Sequence, residues 1–167
     1  LRNASNRRFV LAEEQARAKN RLQKWIAVYF PEYKGIYTHI DTKEGLLLLK
    51  QAPTPEEMVR LGVDGIIKIW KDAKLRGNWH KQAMLILNAA MKSIGLKAGL
   101  TEARMDIQDL IEDYELQTKR LERVNDLIKE LCQQIRYADK LLEIKGIGIT
   151  TVCLLYTSDA ADDSLRV

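Results

Sequence analysis

The chain has 167 residues, of which 46% are hydrophobic and 30% are charged, and its formal net charge is +4. This composition is typical of a soluble, helix-rich domain, and no apolar run approaches the roughly 18 residues that a membrane-spanning helix requires. The two cysteines, Cys132 and Cys153, indicate no disulfide framework and favour a reducing cytoplasm. Together with two scattered histidines they form no metal-ligand spacing, so we expect neither a metal nor a cofactor in this chain.

Residues 4–29 are predicted to form one long helix. Apolar residues recur every three or four positions from Leu11 to Tyr29, and Pro31 then ends the helix because proline lacks an amide hydrogen. Residues 1–30 carry seven basic and two acidic side chains, and a basic helix favours a polyanion as partner. The residues expected to contact it are Arg17, Arg21 and Lys24. A solvated helix face explains the same charge, and both interpretations stay open.

Residues 31–100 are predicted to form a cluster of short helices. Asp41 is expected to cap the first of them, with Glu44 completing a capping box. Thr54 is expected to cap another, whose first turn contains Pro55. The later helices are predicted over residues 55–61, 65–75 and 79–94. No stretch before residue 152 alternates apolar and polar residues with period two, so no sheet is expected.

A second long helix is predicted from Thr101 to about Tyr137, within a heptad arm over residues 101–140. Its apolar residues alternate at three and four positions, which is the pattern of a coiled coil. Such a narrow seam requires a second helix, and we expect a homo-oligomer here. The sequence does not distinguish a second copy from residues 4–29 of the same chain. The seam consists of Ile107, Leu110, Tyr114, Leu121, Val124, Ile128, Leu131 and Ile135.

Residues 141–152 have the form of the start of a helix-hairpin-helix. Gly146 and Gly148 can adopt backbone angles closed to other residues, and they leave N–H groups facing outward at the start of the next helix, where an anion can bind. Such phosphate contacts position a duplex or a structured RNA without reading its sequence. The residues expected to make them are Lys145, Gly146, Gly148, Thr150 and Thr151. The alternative is a glycine turn that only joins two packed helices.

Residues 153–167 differ abruptly from the rest, with neither helical periodicity nor a capping residue. Read back into codons, Cys153–Asp162 resembles the end of a transposon-based sequencing adapter. We therefore expect the authentic sequence to stop after Val152, and Asp159 and Ser158 to have no function. The first residues lack both Met and a signal-peptide core, which indicates a chain taken from the middle of a longer protein.

Five segments in combination resemble transposases of the insertion-sequence "one-ten" type, which have an N-terminal DEDD nuclease-like domain. The segments are Arg17–Trp25, Tyr29–Tyr33, Ser93–Gly95, Asp113–Leu116 and Leu141–Gly148. The resemblance covers residues 1–152. One departure is Lys145, which stands where the family often has proline.

The resemblance implies DNA transposition in the bacterial cytoplasm, at the nucleoid, with DNA and a structured guide RNA as partners. It implies that the acidic residues holding catalytic magnesium precede Leu1 and that the serine nucleophile follows Val152, so no catalytic residue is assigned here. The implied segments are 1–30 as a basic helix leaving the nuclease-like domain, 31–100 as a short-helix cluster, 101–140 as the arm, 141–152 as the start of the hairpin domain, and 153–167 as adapter.

The sequence thus predicts an all-α fold in which two long helices, a coiled-coil-like arm, flank a cluster of short ones and lead into a partial helix-hairpin-helix. The expected function is that of a transposase fragment contributing oligomerisation and nucleic-acid contact. The alternative is a coiled-coil oligomerisation module without a nucleic-acid role. DNA-repair glycosylases also use such a hairpin, but the long heptad arm is foreign to their fold.

Overall fold

The structure, a computed structural model, confirms the all-α fold with two long helices. It describes residues 1–37, 39–134, 138–149 and 151–152, without the side chains of 138 and 139. It is 77% helical, and the described residues contain no strand. Within them, no helix combines the length and hydropathy needed to cross a bilayer. The helices are α1 (Arg2–Tyr29), α2 (Tyr33–Ile36), α3 (Lys43–Gln51), α4 (Pro55–Asp72), α5 (Trp79–Met91), α6 (Leu100–Gln133) and α7 (Ala138–Leu142).

The chain divides into two compact units, and the long helices α1 and α6 each contribute one segment to both. Unit 1 comprises Leu1–Ala16 together with the chain from Glu115 onward, and unit 2 comprises Arg17–Tyr114. The predicted boundaries at residues 30 and 100 fall at helix ends and the one at residue 140 falls within α7, whereas this division cuts through α1 and α6.

In unit 1, the first half of α1 packs against the second half of α6. Arg8 Nε donates a hydrogen bond to Asn125 Oδ1 over 2.9 Å, and Gln15 Nε2 donates to Thr118 Oγ1 over 2.8 Å. Because the later residue of α1 meets the earlier residue of α6, the two segments run antiparallel. A small apolar cluster around Ile128 and its neighbours Cys132, Val124, Leu1, Ala4 and Ile149 completes the packing of this unit.

In unit 2, the second half of α1 packs in the same antiparallel sense against the first half of α6. The indole Nε1 of Trp25 donates to the Ala103 carbonyl oxygen over 2.9 Å. Further along, the Arg21 guanidinium lies 3.4 Å from the Asp113 carboxylate. The Trp25 ring itself is buried, so this hydrogen bond satisfies an indole N–H that would otherwise be buried without a partner.

The core of unit 2 is built by the short helices together with these segments of α1 and α6. Helix α4 packs along α5 and α3, and α2 packs on α5. Two buried aromatic side chains also form hydrogen bonds: Tyr33 Oη donates to the Gly45 carbonyl oxygen over 2.8 Å, and Trp70 Nε1 donates to the Glu44 carbonyl oxygen over 2.9 Å. The other large, fully buried side chains of this core include Phe30, Leu22, Ile26, Leu48, Leu49, Met58, Ile66, Ile86 and Ile107.

The predicted capping box at Asp41 and Glu44 is wrong, because Thr42 caps α3 instead. Thr42 Oγ1 accepts a hydrogen bond from the Gly45 N–H over 3.3 Å. The Asp41 carboxylate is engaged elsewhere: Lys19 Nζ lies 2.9 Å from it, and Tyr114 Oη donates to it over 3.3 Å.

The helical run α4 is interrupted at Gly62, as predicted. The glycine has φ 62° and ψ −176°, which are not helical values, so two helical stretches meet there at a kink. The helix begins, as predicted, with Thr54 and Glu57 in a capping box.

Helix α4 ends in a Schellman motif. The Leu75 N–H donates to the Trp70 carbonyl oxygen over 3.0 Å, and the Lys74 N–H donates to that of Lys71 over 2.9 Å. Lys74 has φ 56°, so a lysine occupies the left-handed position that glycine usually fills.

The capping box at the start of α4 gives a stability prediction. Thr54 Oγ1 accepts from the Glu57 N–H over 3.3 Å, and Glu57 Oε2 accepts from the Thr54 N–H over 3.1 Å. Thr54→Ala removes the first of these bonds, and we expect it to lower the free energy of unfolding by about 1 kcal/mol. Urea denaturation measures the change. The exposed Thr101 provides the control, and an equal loss from Thr101→Ala would contradict the role of the cap.

Candidate nucleic-acid interface

In the described residues the glycine hairpin of unit 1 forms a tight turn, and of its two glycines Gly146 has a positive φ and Gly148 does not. After α7, the Ile147 N–H donates to the Ile144 carbonyl oxygen over 3.0 Å, and Gly146 adopts φ 96°. The Gly148 carbonyl oxygen then accepts from the N–H groups of Thr151 and Val152, over 2.9 and 3.1 Å. These bonds make a tight turn followed directly by the start of a helical segment.

The hairpin exposes its polar groups and buries some of its apolar side chains, whereas Ile144 is 51% exposed. Lys145, Gly146, Gly148 and Thr151 are exposed, and Ile147 is half-buried. Ile149 packs on the apolar cluster around Ile128, and Val152 is buried. The turn is therefore anchored from within while its backbone and Lys145 face solvent. Of the predicted contact residues, Thr150 lies outside the described residues.

Of the basic residues of α1, Arg21 and Lys24 are exposed but lie among acids. A groove of about 400 Å³ in unit 2 is lined by side chains of both charges; its lining residues are Arg21, Lys24, Trp25, Asp106, Asp109, Leu110 and Asp113. Arg17 is also exposed on α1. Because three carboxylates share the groove with two cations, a phosphate approaching Arg21 or Lys24 meets charges of its own sign.

Most of the seam residues of α6 are covered inside the chain. Ile107 and Tyr114 are buried and Leu110 is partly buried in the core of unit 2. In unit 1, Ile128 is buried and the side chains of Leu121, Val124 and Leu131 are half-buried; Ile135 lies outside the described residues. Three buried positions of the same helix were not predicted, which are Ala103, Ile111 and Cys132. Their four-residue spacing to Ile107 and Ile128 was the available signal.

Two segments that carry the family resemblance meet in unit 2. The Glu32 carboxylate accepts a hydrogen bond from the Ser93 hydroxyl over 2.7 Å and one from the Ile94 N–H over 2.9 Å. A Cβ added to Gly95 would lie 2.0 Å from the Tyr29 carbonyl oxygen, so only glycine allows this close approach. We call this contact the Glu32 clasp. The Glu32 clasp was not predicted, because no local sequence pattern links positions more than 60 residues apart.

No three His, Cys, Asp or Glu side chains gather as metal ligands within the described part of the chain. Comparison with protein-family models, with curated proteins and with solved structures returned no match.

The Glu32 clasp makes stability depend on pH. Partial burial acts to raise the pKa of Glu32, but the hydrogen bonds from Ile94 and Ser93 outweigh it, so the pKa lies below its ordinary value. A carboxyl whose pKa is lowered by folding stabilises the fold above its unfolded pKa of about 4.3, and this contribution is lost as the pH falls through the folded value.

We therefore expect Glu32→Gln to flatten the loss of stability between about pH 5 and pH 3. Thermal unfolding followed by circular dichroism at several pH values measures the effect. Glu122→Gln is the matched control, since Glu122 is exposed and has no hydrogen bond or ion pair with a described residue. Identical pH profiles for the two variants would contradict the role of the clasp.

Proposed function

We propose that this chain is part of a transposase of the insertion-sequence "one-ten" type and that it contacts DNA or a structured RNA through the glycine hairpin. The observation that carries the proposal is the left-handed Gly146, between the exposed Lys145 and the helical start at Gly148. Backbone N–H groups at such a start, next to a lysine, suit a phosphate. The strand-transfer chemistry and its magnesium belong to other parts of the proposed parent protein.

The Glu32 clasp supports the proposed family. The resemblance rests partly on Tyr29–Tyr33 and Ser93–Gly95, which lie far apart in the sequence. The two segments contact each other through Glu32, Ser93 and Gly95. One contact therefore explains both motifs: the Glu32 carboxylate binds Ser93, and the absence of a side chain at Gly95 lets the two backbones approach.

Charge reversal at the hairpin tests the proposal. Lys145→Glu should weaken the binding of a labelled duplex and lower the slope of log affinity against log salt by about one, because one phosphate contact is lost. Fluorescence anisotropy between about 50 and 200 mM salt measures both quantities. Lys119→Glu makes the same charge change at an exposed site of the same unit and should leave the slope unchanged. If the unchanged chain binds neither duplex DNA nor structured RNA at about 50 mM salt, the proposal is wrong.

A glycine pair separates backbone geometry from charge in the same assay. A Cβ at Gly146 or at Gly35 would meet no atom within 4 Å, but only Gly146 has a positive φ. We therefore expect Gly146→Ala to distort the hairpin and weaken binding, while Gly35→Ala leaves binding unchanged. Equal affinities for the two variants would contradict a role for the turn.

A second candidate function, oligomerisation without nucleic-acid contact, is favoured by the apolar surface of unit 1. Four large apolar side chains on α1 and α6 are more than two-fifths exposed there: Phe9, Val10, Leu116 and Leu127. Exposed apolar side chains mark a protein contact where they form one continuous patch.

Sedimentation velocity at micromolar concentration tests this second candidate. Leu127→Asp puts a charge on a side chain that is 46% exposed, so it should leave the fold intact and lower the content of oligomer. Met105→Asp is the control, because Met105 lies on the same helix in unit 2 and is 63% exposed. If Leu127→Asp sediments like the unchanged chain, this face forms no contact between copies.

A further inference from the structure

Five cations surround the turn between α4 and α5, and we call them the turn patch. They are Lys68, Lys71, Lys74, Arg76 and Lys81. All five are exposed. The acid within residues 68–81 is Asp72 alone, so this short segment has a high density of positive charge.

The turn patch accounts for the net charge of the whole chain. The chain has 27 Lys and Arg residues and 23 Asp and Glu residues, so removing these five cations and Asp72 leaves 22 of each sign. On α1, by contrast, Lys19 pairs with Asp41 and Arg21 pairs with Asp113. No salt bridge between described residues uses a cation of the turn patch.

The folded turn holds these cations together. The rings of Trp70 and Trp79 lie 5.0 Å apart between their centroids and join the end of α4 to the start of α5. Gly77 passes so close to the Trp79 ring that an added Cβ would lie 2.7 Å from it. The cations therefore extend from a packed turn, with Asp72 as the one acid within residues 68–81.

The backbone of the turn shows that a lysine is present where another residue would fit better. Lys74 occupies the left-handed position of the Schellman motif with φ 56°, and glycine adopts that conformation without steric cost. Strained positions of this kind cluster at functional sites. The first turn of α5 adds charge of the same sign, since it contains Lys81 and no acid.

We propose that the turn patch binds the phosphodiester backbone of double-helical nucleic acid. The cations extend from two helices and the turn between them, so they match a regular row of negative charges better than a single small anion. A membrane surface fits less well, because a helix that lies on lipid also buries exposed apolar side chains beside its cations. No large apolar side chain within residues 68–81 is exposed; Ile69 and Trp70 are buried, and Leu75 and Trp79 are half-buried.

This surface is separate in sequence from the glycine hairpin and requires no role for it. The two proposals can therefore fail independently. If Lys145→Glu loses binding and the turn-patch variants bind fully, the proposal for the turn patch is wrong and that for the hairpin stands. If the turn-patch variants lose binding and Lys145→Glu binds fully, the proposal for the hairpin is wrong and that for the turn patch stands.

The test compares two double variants that change the net charge of the chain by the same amount. Lys74→Glu combined with Arg76→Glu should lower the salt slope for a 20-base-pair duplex by roughly two and the affinity at 100 mM salt by about tenfold or more. The control combines Lys92→Glu with Lys97→Glu, two exposed residues of the same unit, and should change the slope little. Lys74→Gly provides a variant that keeps the fold, because glycine suits the conformation; it should lower the slope by about one.

Binding is measured for a DNA duplex and for an RNA duplex of the same sequence. The duplex that binds more tightly shows which nucleic acid the turn patch prefers. Vesicles with anionic lipid and inorganic phosphate serve as further probes. Three results would each overturn the proposal. The patch and control variants could lose equal affinity, the chain could bind vesicles or phosphate and neither duplex, or Lys74→Gly could leave the salt slope unchanged.

Discussion

The structure depends on the covering of α6 by α1 within one chain. A helix of 34 residues with a largely polar surface gains little stability alone, and it needs a partner for its apolar stripe. Helix α1 supplies that partner in each unit: through Gln15 and Thr118 in unit 1, and through Trp25 and Ala103 in unit 2. The short helices of unit 2 complete its core by packing with the same two segments.

This pairing also decides which charges are left for a ligand. The sequence suggests α1 as the basic surface, but in unit 2 its cations lie beside the acids of α6 and beside Asp41. The acids near the start of α6 are thus explained by the cations opposite them as well as by the helix dipole. The turn patch has five cations and a single acid within residues 68–81, and the hairpin adds Lys145. The proposed contacts with nucleic acid accordingly rest on turns rather than on a long basic helix.

Patterns among neighbouring residues predicted where most helices lie, but they did not predict which side chains of different helices contact each other. Pro31, the capping box at Thr54 and the heptad spacing of α6 act over a few residues, so the long helices and most short ones follow from them. The cap of α3 was missed because Lys19 and Tyr114, both distant in sequence, hold the Asp41 carboxylate. The Glu32 clasp and the position of the acids opposite α1 likewise depend on packing. The hairpin was predictable because its turn needs only adjacent residues. The turn patch was not predicted, although its five cations lie within residues 68–81.

The pairing of α1 with α6 inside one chain can be measured directly. A mixture of ¹⁴N-labelled and ¹⁵N-labelled protein is treated with a carbodiimide, which joins Lys24 to the carboxylates of Asp106 or Asp109 that line the same groove. Mass spectrometry then shows whether each joined peptide pair has one isotope or two. If α1 covers α6 of its own chain, the pairs contain a single isotope; pairs of mixed isotope in statistical proportion would show that another copy supplies the covering helix.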